Sequence, residues 1–148
     1  MKILSIAFFS VLLAASVAFA GFTLKSGVYR MNQLDTAEAE AISGKKAVAF
    51  LYSDENTFCI QCVSESLQAM ETLAGSCVMV YVDKSSTAGL PEKVKAAFRS
   101  TAAGKYIPAI VIMSYDLKKL ITIVPYARGE AYGKLLSEAK KKILSYER

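Results

Sequence analysis

This sequence contains no histidine and no tryptophan, and only three prolines and three cysteines. Without histidine, Ser-His-Asp and Cys-His catalysis are excluded, and the usual zinc ligand sets lose their nitrogen donor. The cysteines are too few to replace it, so neither a metal nor a cofactor is expected. A dominant charge of one sign is also missing. The 18 Lys and Arg are interspersed with 13 Asp and Glu, and the net charge of +5 forms no basic stripe. Nucleic acid is therefore not an expected partner. Lys140-Lys141-Lys142 falls in the last turns of a predicted helix, where cations suit both the macrodipole and water.

The long apolar run lies at the start. Met1 and Lys2 precede an almost unbroken apolar stretch from Ile3 to Val17, and Ala18-Phe19-Ala20 places small residues just before Gly21. This pattern predicts a secretory signal over residues 1–20. An uncleaved membrane anchor is the alternative, because the stretch approaches spanning length. With the signal removed, the expectation is an exported monomer, periplasmic or secreted, with no stable membrane insertion. Such a compartment is oxidising, so paired thiols can form disulfides. The remaining chain is long enough for one compact domain and too short for two: an entry segment over 21–34, then a domain over 35–148.

Asp35 and Glu38 have the spacing of a capping box, with Gly44 past the end of the helix they would open. Ala47 to Tyr52 is a continuous apolar run of strand length, as expected for a strand covered on both faces. After a polar turn, Val63, Leu67, Met70 and Ala74 recur at steps of three and four. This predicts an amphipathic helix with Cys59 and Cys62 at its start. Cys77 to Val82 reads as a second strand, and Pro91 opens a helix with Val94, Ala97 and Phe98 inside. Alternation of strand and helix implies parallel pairing through crossovers. Ala109–Met113 and Leu120–Val124 lie too close together for a crossover and must pair antiparallel, with Pro125 placing the second at an edge. Ala131, Leu135, Leu136, Ala139 and Ile143 mark a closing helix. The fold class is thus α/β, a central mixed sheet of about four to five strands flanked by helices.

Cysteines spaced as Cys59-Ile60-Gln61-Cys62 at a helix N-terminus have a direct chemical use. Unpaired amides and the positive end of the dipole stabilise a thiolate on the first cysteine, and the second lies one turn on, able to close a disulfide. Cys59 is the candidate nucleophile and Cys62 the resolving thiol. A purely structural disulfide is the competing reading, since small exported domains use such staples. Cys77, at the start of a core strand, is expected to be a buried free thiol, with pairing to a partner as the alternative.

The order of elements, the cysteine pair after the first core strand, and Ile107-Pro108 before the later hairpin resemble thioredoxin, from Asp35 to the C-terminus. The resemblance implies a thioredoxin-like α/β domain with a cis bond before Pro108. It also implies that Ile107, Pro108 and Phe58 contact an extended substrate segment, and that Gly129 lies beside the active surface, although a plain turn glycine explains it equally. The implied activity is thiol-disulfide oxidoreduction on protein disulfides, leaning toward reduction, with protein thiols and a redox partner as partners. The alternative is a non-catalytic binding or assembly module. Peroxide reduction is disfavoured, because no Thr-x-x-Cys arrangement is present. The sequence departs from thioredoxin at Phe58, where Trp is usual, and at Ile60-Gln61, where Gly-Pro is usual. The buried acid expected under the cysteines is replaced by Leu51, leaving Asp54 and Glu55 in the loop as surface residues or proton relays.

Overall fold

A computed structural model describes residues 21–147, so the basic start, apolar run and small-residue site at 1–20 lie outside the described residues. Among the described residues five strands, β1 (Val28–Arg30), β2 (Val48–Tyr52), β3 (Val78–Val82), β4 (Ala109–Met113) and β5 (Leu120–Val124), form one sheet in the order β1-β3-β2-β4-β5. β3 runs parallel to both β1 and β2, whereas β4 runs antiparallel to β2 and β5. The mixed sheet follows from connection length: β2 reaches β3 through a helix, while β4 and β5 share a short turn.

Helices α1 (Leu34–Gly44) and α3 (Glu92–Arg99) cover one face, and α2 (Ile60–Leu73) and α4 (Glu130–Tyr146) the other. The two-residue period of β2 divides its side chains between the layers. Ala47, Ala49 and Leu51 meet Met70, Leu73, Tyr132 and Leu136 on one side, and Val48 and Phe50 meet Ala37, Ala41 and Val94 on the other. Both faces are apolar because both are covered, which is why the sequence shows an unbroken run rather than alternation. Each fully buried Phe or Leu contributes about 1.5–3 kcal/mol relative to exposure.

Several local expectations are corrected. The capping box at Asp35 is not made, because α1 already begins at Leu34, entered directly from a 3-10 turn over Met31–Gln33. Gly44 is the last helical residue, and Lys45 takes the left-handed position after it. In α2 the buried face consists of Glu65, Ser66, Ala69, Met70 and Leu73, while Val63 and Leu67 are half-buried and Ala74 is exposed. The helix is rotated from the hydropathy pattern because two polar residues find partners inside. In α4 the inward position of the first turn belongs to Tyr132, not Ala131.

Cys77 precedes β3, is 7% exposed, and is a free thiol. Burial, with a smaller contribution from Glu147, pushes its pKa up to about 12. Since the thiolate is the reactive form, iodoacetamide should label no cysteine in the native oxidised protein and one after denaturation, as counted by intact mass. Native labelling of Cys77 would contradict the packing around it.

Candidate active site

The end of β2 delivers the chain into a loop, Ser53 to Phe58, held from several directions. The Asp54 carboxylate accepts from the Asn56 amide at 2.9 Å. The Glu55 carboxylate takes both guanidinium nitrogens of Arg30 at 2.8 Å each, which holds its pKa below the ordinary carboxylate value. The Glu55 amide donates to the Tyr81 hydroxyl at 2.8 Å, and the Glu55 carbonyl accepts from the Phe22 amide at 2.9 Å. Gly21 packs so closely on that carbonyl that a Cβ there would collide with it. Asp54 and Glu55 are thus committed to shaping the loop.

Cys59 is the N-cap of α2. Its φ of −74° and ψ of 102° are extended rather than helical, and its Sγ accepts the Cys62 amide at 3.1 Å. This sulfur therefore occupies the place usually taken by a capping oxygen, where backbone donors are otherwise unpaired. No acid stands in the first turn of α2 to oppose the positive end of its dipole. Cys59 and Cys62 are joined as a disulfide, with Cα atoms 5.2 Å apart. Cys59 is exposed and Cys62 half-buried. Behind them, the Ser66 hydroxyl donates to the Cys62 carbonyl at 2.7 Å and pairs with the Ser53 hydroxyl at 2.7 Å, fastening the first turn of α2 to the end of β2.

The peptide bond between Ile107 and Pro108 is cis. It lies just before β4, which antiparallel pairing places beside β2, with Tyr52 opposite Ala109. A cleft of about 620 Å³ opens there. Cys59 and Cys62 line it from α2, Tyr106 and Ile107 from the approach to β4, and Tyr126, Ala127 and Arg128 from the segment after β5. Of the residues singled out from sequence, Cys59, Cys62 and Ile107 meet in this cleft, and Pro108 is the buried neighbour of Ile107. Phe58 is not among the residues that line the cleft; it precedes Cys59 in the chain and is 87% exposed.

Sequence reasoning missed the far wall and the acid behind it. Glu65 is only 4% exposed. One carboxylate oxygen accepts the Gly129 amide at 3.2 Å, and the other is buried without a hydrogen-bond partner. Desolvation raises its pKa despite the opposing effects of Gly129 and Arg128. Gly129 has a φ of 55° and precedes α4, a backbone conformation in which any side chain would be strained. Glu65 thus ties the Cys-bearing helix to the segment that walls the cleft. Glu65 falls one turn beyond Cys62 and one turn before Ala69, on the inward face of α2, whereas the hydropathy pattern of Val63, Leu67, Met70 and Ala74 directs it to solvent.

No family model matches this sequence. No curated protein matches it either. Among solved structures, a protein described as DsbH Oxidoreductase aligns over 87% of this chain and 92% of its own, with 16% identity and a TM-score of 0.50. The fold is thioredoxin-like. A disulphide isomerase from Xylella fastidiosa Temecula1 also aligns, over 84% of this chain and 92% of its own, with 15% identity and a TM-score of 0.45. In this thioredoxin-like domain the cysteine pair heads the helix after β2, and the cis-proline loop lies across from it.

Proposed function

We propose that this protein is a thiol-disulfide oxidoreductase that acts on disulfides of other exported proteins and works mainly as a reductant. The observation that carries this reading is the Cys59 sulfur: it is exposed, accepts a helix-terminal amide, and lies at the edge of an open cleft. A disulfide serving only as a staple needs neither the open face nor the donor.

In the reduced protein, the Cys59 thiolate attacks one sulfur of the substrate disulfide. A Cys59–substrate bond forms, the substrate bond breaks, and one substrate thiolate leaves and takes up a proton. Cys62, losing its proton, then attacks Cys59. This closes the Cys59–Cys62 bond and releases the second substrate thiolate. Two electrons pass to the substrate, and a dithiol donor restores the starting state. The lean toward reduction rests on what stabilises the thiolate. Neither Ile60 nor Gln61 adds a positive charge to the amides, and strong oxidants in this chemistry owe their potential to a much more stabilised reduced form.

Reduction of insulin by dithiothreitol, followed as turbidity of the released chains, tests the proposal. The protein should accelerate the reaction several-fold at catalytic concentration. No acceleration, together with no change in the Cys59–Cys62 pair on mixing with the dithiol, would end the enzymatic reading and leave a binding module.

A further inference from the structure

Ile107 lines two clefts of opposite electrical character, and the disulfide opens into one of them. On the side that contains Cys59 and Cys62, the wall carries Arg128, flanked by the rings of Tyr106 and Tyr126 with centroids 6.0 Å apart. Arg128 is exposed and makes no ion pair or side-chain hydrogen bond among the described residues. The nearby acid, Glu65, does not satisfy it: that carboxyl is buried, with one oxygen taken by the Gly129 amide. Lys105, next to Tyr106, is also exposed and unpaired among the described residues. Across Ile107, a second cleft of about 350 Å³ presents Asp54 and Asp83 with one cation, Lys84. Asp83 is held ionised by hydrogen bonds from Ser85 and Ser86.

Around the sulfur the surface is apolar. Phe58, Ile60 and Tyr106 are 87%, 84% and 72% exposed, and they make up half of the large hydrophobic side chains exposed among the described residues. Such a concentration marks a contact surface. The charges on either side of Ile107 specify what it contacts.

We infer that the preferred substrate is an extended protein segment whose disulfide cysteine is flanked by apolar residues and carries a carboxylate on one side only, the side that reaches Arg128. The guanidinium offers a planar pair of donors to that carboxylate. An acid on the other side would face Asp54 and Asp83. This inference rests on the exchange activity proposed above and adds a substrate class to it.

The test uses reduced protein and synthetic peptides whose single cysteine is activated as the 2-pyridyl disulfide, which adds no charge to the peptide. Cys59 thiolate attacks the peptide sulfur and expels pyridine-2-thiolate, which is followed by its absorbance as the thione. The peptides place Asp, Asn or Lys on either side of the cysteine. One Asp placement should react about three- to fivefold faster than Asn, as expected for a partly exposed ion pair, and Lys at that place correspondingly slower. Salt should shrink the ranking, and Arg128→Glu should reverse it in favour of Lys. Equal gains for Asp on both sides would mean that net charge alone steers the peptide, and an unchanged ranking in Arg128→Glu would mean that Arg128 is not the reader; either result overturns the inference. A uniform rate for every peptide removes the selectivity and leaves the exchange activity standing. Failure to react even with the Asn peptide removes both.

Discussion

Changing Cys59 to Ser should lower disulfide exchange by on the order of a thousandfold or more, to the uncatalysed rate, because the oxygen that replaces the sulfur is not ionised by helix amides. Changing Cys62 to Ser should have a different consequence. Attack by Cys59 still occurs, but nothing closes the second step, so substrate proteins accumulate as mixed disulfides on Cys59. Non-reducing electrophoresis and mass spectrometry separate the two outcomes. Equal capture by the single Cys62→Ser variant and by the double Cys59→Ser, Cys62→Ser variant would show that binding, not exchange, holds the partners. The contrast follows from geometry: Cys59 caps the helix in the open, whereas Cys62 is half-buried, with its carbonyl held by the Ser66 hydroxyl.

The second large effect concerns stability. The Tyr132 hydroxyl and one Glu65 oxygen are the buried side-chain polar atoms without partners among the described residues. The Tyr132 ring is fully buried between α4 and the sheet, so Tyr132→Ala should cost about 3–5 kcal/mol. Tyr132→Phe removes only the unpaired hydroxyl and should be neutral or stabilising, by up to about 1 kcal/mol. Glu65→Gln keeps an acceptor for the Gly129 amide and removes a carboxyl whose folded pKa is raised by desolvation. The folded state therefore holds that proton more tightly than the unfolded state. The resulting stability is fully present below the unfolded value, roughly 4.3, and is lost as pH rises through the folded one. The Gln variant should accordingly gain on the native protein as pH rises from 4 to 7. Urea melts at the two pH values measure this. Parallel pH profiles would show that Glu65 is ionised in the fold at no cost.

Legibility in the sequence depends on how each residue is used. The strands were legible because β2, β3 and β4 are covered on both faces, and a run such as Val48 to Tyr52 has no other economical conformation. The cysteine pair and Ile107-Pro108 were legible because their chemistry is carried by residue type and spacing alone. Glu65 was not, because hydropathy assigns a glutamate to solvent and only the Gly129 amide, 64 residues away, makes its burial tolerable. Tyr126 and Arg128 escaped notice for a related reason. They reach the cysteines only because β5 pairs with β4 and returns the chain to the same end of the sheet.

The clamp on the Glu55 carbonyl bears on how the protein can be handled. Gly21 and Phe22 rest against the loop that carries Cys59, so the described residues begin at the reactive pole. The other end of the described chain lies at the opposite pole, where the Glu147 carboxylate accepts from the Ala47 amide at the foot of β2. A purification handle or a surface tether fixed ahead of Gly21 would crowd the doorway to the sulfur, whereas one attached after α4 would leave it clear.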